Sequence, residues 1–96
     1  MMKKTLSFIC TRQQRNALEG LAYHIADSAY IKERYGNQEP ELKSVHESIT
    51  SLFNELDKLH VPFWVQNSVI AFAENWRRYK DTYMDAYLKK ERNIIL

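Results

Sequence analysis

His24, His46, His60 and Cys10 are the residues of this chain with the widest chemical repertoire. A metal centre needs several such ligands converging, and local ligand pairs leave a recognisable spacing. The chain has no His-x-x-x-His, no Cys-x-x-Cys and no Glu-x-x-His of the di-iron bundle type. His24 and Asp27 stand about one helical turn apart, a spacing that allows a hydrogen bond and requires no metal. Cys10 becomes a nucleophile only if the fold sets a histidine beside it, and no glycine-rich elbow surrounds it. Its neighbours Leu6 and Phe8 suit a small packed residue in a strand better. Gly20 and Gly36 are isolated and cannot build a phosphate-binding loop. These absences lead to the expectation of a noncatalytic protein with no cofactor and no metal. A small enzyme using Cys10 is an alternative.

The C-terminal third is richer in residue types that bind. Phe72, Trp76, Tyr79, Tyr83 and Tyr87 recur at helical spacing, and Val65, Val69, Ala73, Met84 and Ala86 form a second apolar set partly beside them. Phe72 and Trp76 fit the bundle core, with Trp76 also a candidate for the binding surface. Tyr83 and Tyr87 fall where a long helix would project beyond its neighbours. Tyrosine, tryptophan and arginine dominate binding hot spots because they offer area and a polar handle together. Arg77, Arg78 and Lys80 flank the stripe, and Lys89, Lys90 and Arg92 follow it. The expected partner-binding set is therefore Trp76, Arg77, Arg78, Tyr79, Lys80, Tyr83, Tyr87 and Lys90. It would contact a protein partner or a second copy of the chain through the third helix. Glu74, Asp81, Asp85 and Glu91 interleave with the bases, which weakens the case for nucleic acid. Glu74 with Arg78, and Arg77 with Asp81, are four apart and pair as on an ordinary solvated face.

The elements that position these residues follow from periodicity. Residues 1–10 read as an extended arm or strand, with Leu6, Phe8 and Cys10 on one face. Thr11 then caps a helix over about 12–35, and Gln14 completes a capping box. Within that helix Ala17, Leu18, Leu21, Ile25, Ala26 and Ala29 line one side, and Gly20 reads as tolerated. Gly36 closes the helix and Pro40 opens the next, over about 41–60. This second helix has the cleanest pattern: Leu42, Val45, Ile49, Leu52, Phe53, Leu56 and Leu59 form one stripe. Pro62 begins a third helix expected to run over about 62–92, roughly 30 residues and ~45 Å if continuous. Ile94, Ile95 and Leu96 follow as an apolar tail. The expected fold is all-α or mainly α: a three-helix bundle in one domain, 1–96, with an N-terminal arm and a long C-terminal helix.

The strand-then-capped-helix outline from Lys3 to Thr11 and from Arg12 to Ala22 resembles the opening of ribbon-helix-helix DNA-binding proteins. That resemblance implies a ribbon, one strand from each subunit, read into the major groove. It covers about a fifth of the chain. The short turn and second helix of that family do not follow, because the first helix continues through Ala26 and Ala29. A DNA-binding regulator is a further alternative.

Composition sets the outer bounds. The chain has 96 residues, 45% of them hydrophobic and 27% charged, which suits one folded domain. Only two glycines and two prolines occur, too few for a turn-rich sandwich or barrel. The formal net charge of +2 does not by itself attract nucleic acid or anionic lipid. A single cysteine excludes an intrachain disulfide and suits a reducing compartment. Met1–Lys4 has the look of a signal-peptide n-region, but Arg12 and Arg15 end the apolar stretch that follows too soon. No stretch is long and apolar enough to span a membrane. The reading is a cytoplasmic, noncatalytic helical protein acting through protein–protein contact. By analogy of size and fold it resembles the small inhibitors and regulators of bacteria, phage and mobile elements.

Overall fold

A computed structural model describes residues 6–75 and 83–96. Within them the order is β1 (Phe8–Ile9), α1 (Arg12–Tyr35), α2 (Glu41–Lys58), α3 (Phe63–Glu74), α4 (Met84–Arg92) and β2 (Ile94–Ile95). The protein is mainly helical. α1 packs along both α2 and α3, while α4 joins α3 to β2 at one end of the molecule.

The start of α1 is set by the capping box. The Gln14 amide donates to Thr11 Oγ1 at 3.2 Å, and the Thr11 amide donates to Gln14 Oε1 at 2.8 Å. Gln14 Nε2 also donates to the Leu59 carbonyl at 2.9 Å, tying the beginning of α1 to the end of α2. Gly36 closes α1 at φ 88°, its amide donating to the Lys32 carbonyl. A positive φ favours glycine, which has no Cβ to clash. At the end of α2 the same left-handed step is taken by His60, φ 60°. The Val61 amide then reaches back to the Leu56 carbonyl at 3.0 Å, satisfying an open helix end. Val61 and Leu56 are both buried, the apolar contact that accompanies this type of cap. Gln66, also buried, holds the turn by donating to Asp57 Oδ1 and to the Val61 carbonyl.

The core is assembled from every element after β1. Leu18 and Leu21 of α1, Leu56 of α2, Val65 and Val69 of α3, Leu88 of α4 and Ile94 of β2 are all fully enclosed. Along α2, Leu42 and Leu56 are buried, whereas Val45, Ile49, Leu52, Phe53 and Leu59 are half-buried. On α3 the buried stripe is Val65, Val69 and Ala73; Phe72 lies beside it, half-buried. The deepest residues there are the aliphatic set rather than Phe72.

The long third helix expected over 62–92 is instead two helices. α3 stops at Asn75, whose backbone has φ −109° and ψ 30°, and α4 restarts after Tyr83, which is extended at ψ 140°. The fold is therefore not a three-helix bundle with one protruding helix. A straight helix of that length would carry Leu88 far from Leu18 and Leu21. Dividing it lets Leu88 and Ile94 close the core. Asn93 makes the last turn in the left-handed region, φ 56°, a conformation asparagine tolerates better than most residues.

That turn brings the tail beside the N-terminal segment. β1 and β2 pair in parallel, with Phe8 opposite Ile94 and Ile9 opposite Ile95. The Phe8 amide donates to the Asn93 carbonyl at 3.0 Å and the Cys10 amide to that of Ile95 at 2.8 Å. The expected arm thus includes a strand of two residues, while residues 1–5 lie outside the described residues. Phe8 and Cys10 turn towards the core, as their alternation requires, but Leu6 is exposed.

Two substitutions test this packing. Leu56→Ala should lower stability by about 2–5 kcal/mol, the usual range for a fully buried leucine. Gly20→Ala should raise it by about 0.5–1 kcal/mol. A methyl group there would meet Leu52 Cδ2 at 3.5 Å, an ordinary contact distance. Chemical denaturation of both variants checks the pair.

Candidate functional site

The described part of the expected binding set is Tyr83, Tyr87 and Lys90; Trp76, Arg77, Arg78, Tyr79 and Lys80 lie outside the described residues. Tyr83 precedes α4 and is 82% exposed. Tyr87, one turn later, is half-buried, its ring tilted against Phe72 at 5.1 Å between centroids. The two tyrosines therefore have different surroundings, although their spacing made them equivalent. Lys90 is exposed beside Lys89 and Arg92 in the last turn of α4. Cations there face the helix carbonyl ends, a favourable place for positive charge.

The ribbon adds residues that the sequence did not single out. Ile9 is 72% exposed and its register partner Ile95 is 45% exposed, so an apolar pair faces outward. Leu6, just before the strand, is also exposed. Ser7, Lys89, Asn93 and Ile95 line a groove of about 590 Å³ next to it. The ladder to β2 uses the amides of Phe8 and Cys10, so the alternating Ile9 amide is directed to the opposite edge. Edge strands are commonly guarded by a charge or a proline. None occurs from Leu6 to Thr11. Periodicity could not reveal this face, because two-residue strands are too short to show alternation.

The other chemical candidates are separated. Cys10 is half-buried, and removal from solvent pushes its thiol pKa up, which favours the less nucleophilic protonated form. His24 packs its ring edge-on to Tyr23 at 5.5 Å, and its Nδ1 is buried without a hydrogen-bond partner among the described residues. His46 Nε2 lies 3.3 Å from Ser28 Oγ, joining α2 to α1. His60 is spent on the turn after α2. No group of three or more histidine, cysteine, aspartate or glutamate side chains among the described residues is placed to hold a metal ion. Among them too, no helix is long and apolar enough to cross a membrane. Searches against protein-family models, curated proteins and solved structures found no match for this chain.

The contrast between the tyrosines is measurable. Tyr83→Ala should change stability by no more than about 0.5 kcal/mol, as for other surface truncations. Tyr87→Ala removes a ring packed on Phe72 and should cost about 1–3 kcal/mol. Thermal or urea melts of the two single variants give the comparison.

Proposed function

We propose that this chain is a noncatalytic binding protein that acts through protein–protein interaction, with the ribbon and α4 as its contact face. The observation carrying this reading is the exposed, register-paired Ile9 and Ile95 on an uncharged strand whose outer edge pairs with no other strand among the described residues. Exposed apolar side chains beside the outward-directed Ile9 amide suit an extended segment of a partner, which would add a strand along β1. Lys89 lines the groove beside the face, and with Lys90 and Arg92 in the same last turn of α4 it favours a partner carrying acidic residues. Tyr83, at the other end of α4, adds an exposed amphipathic side chain.

A small protein acting in this way serves as an inhibitor or regulator, since occupying a partner's strand edge requires no chemistry of its own. The free thiol of Cys10 suits a reducing, cytoplasmic setting. Its raised pKa supports a packing role over a nucleophilic one.

The test uses the double substitution Ile9→Ser and Ile95→Ser, both at exposed positions. The melting curve should stay close to that of the parent, while capture of a protein partner from the native host should fall at least about tenfold. Loss of self-association in sedimentation would support the same face, with a second copy as the partner. A partner held equally by parent and variant would overturn it. Recovery of nucleic acid alone, weakening steeply as salt rises, would replace it with the DNA-binding reading.

A further inference from the structure

A second concave site lies away from the ribbon, between α1, α2 and α3. It is a cleft of about 350 Å³, near the small end of the range for ligand sites. Ile25 and Ala29 of α1, Ile49 and Phe53 of α2, and Ile70 of α3 give it apolar walls. Ser28, Lys32, His46 and Glu74 supply its polar groups.

The polar groups are gathered at one end. Lys32 follows Ile25 and Ala29 along α1, Glu74 follows Ile70 along α3, and His46 precedes Ile49 and Phe53 on α2. Short connections make successive helices antiparallel, so the later end of α1, the earlier end of α2 and the later end of α3 coincide. The cation of Lys32 and the carboxylate of Glu74 therefore stand on different walls at a common mouth. Neither forms an ion pair with any described residue. His46 is steadied at the same mouth by its contact with buried Ser28. Lys32 and His46 also line the broad groove outside, which contains Asn37, Glu39, Lys43 and Glu47, so the mouth opens to solvent.

One positive and one negative group above an apolar slot match a small molecule with the reverse arrangement. We propose that this cleft binds a free apolar α-amino acid, with its side chain between the apolar walls, its carboxylate on Lys32 and His46, and its ammonium on Glu74. A ligand with only one charge would satisfy one wall and leave the other charge unmatched. Ser28 and His46 hold the mouth without catalysing a reaction, since the hydroxyl is used in joining two helices. The bound molecule would touch α1, α2 and α3 together, so it should also raise the melting temperature.

Calorimetric titration of the full chain with L-phenylalanine and L-leucine tests the assignment, alongside 2-phenylethylamine and 3-phenylpropanoate. The amino acids should bind, and each singly charged analogue should bind about tenfold more weakly, the scale of one lost charge-assisted hydrogen bond. Lys32→Met and Glu74→Gln lie at exposed positions and should keep the parental melting curve. Lys32→Met should weaken L-phenylalanine while leaving 2-phenylethylamine nearly unchanged; Glu74→Gln should weaken L-phenylalanine while sparing 3-phenylpropanoate. Absence of amino-acid binding at 10 mM (about tenfold above a weak, ~1 mM site) would overturn the proposal. Equal binding of all three ligand types, or parental affinity for L-phenylalanine in both variants, would do so as well.

Discussion

Burial of Leu88 and Ile94 is the constraint on which the rest of the molecule depends. Both side chains are fully enclosed with Leu18, Leu21, Leu56, Val65 and Val69. In a chain of this length the interior is small, and each large aliphatic group removed from water contributes about 1.5–3 kcal/mol. Reaching the core from the C-terminal end requires α4 to be a separate helix rather than an extension of α3. It also requires a left-handed residue at Asn93, so that Ile94 turns inward directly after the last helical turn. The break in the third helix and the turn at Asn93 are two parts of one solution.

The ribbon follows from that solution. Once Ile94 is buried, the alternation of an extended chain places Ile95 on the other face. The Asn93 and Ile95 carbonyls then meet the amides of Phe8 and Cys10. Phe8 and Cys10 are drawn towards the core, and Ile9 is turned out beside Ile95. The exposed apolar pair is thus the complement of a buried one. This arrangement supports the proposed contact face more directly than the aromatic spacing does, because Tyr87, half of the described tyrosine pair, is packed on Phe72.

The two candidate regions rest on different physics. At the ribbon, a strand edge unpaired among the described residues and exposed aliphatic groups suit an extended macromolecular segment. At the cleft between α1, α2 and α3, apolar walls and two opposed charges suit a small molecule. They draw on opposite stretches of α1: the ribbon leads into its capped beginning, and the cleft uses Ile25 to Lys32. The proposed ligand would stiffen the α1–α2–α3 unit from which the ribbon face is presented.

Local signals in the sequence determined much of the first two helices. The Thr11–Gln14 box and Gly36 set the limits of α1, because a capping hydrogen bond and a positive φ depend on the residues at those positions. The stripe from Leu42 to Leu59 marked α2 because every step of three or four returns to one face. The same periodicity continued from α3 into α4 and concealed the break, since each short helix separately keeps the spacing. Only the tertiary structure decided that Leu88 and Ile94 return to the core, that Ile9 stands beside Ile95, and that Lys32, His46 and Glu74 share one cleft. Those relations join residues far apart in the chain, and they are set by which arrangement encloses the most apolar surface, a property of the whole fold rather than of any short stretch.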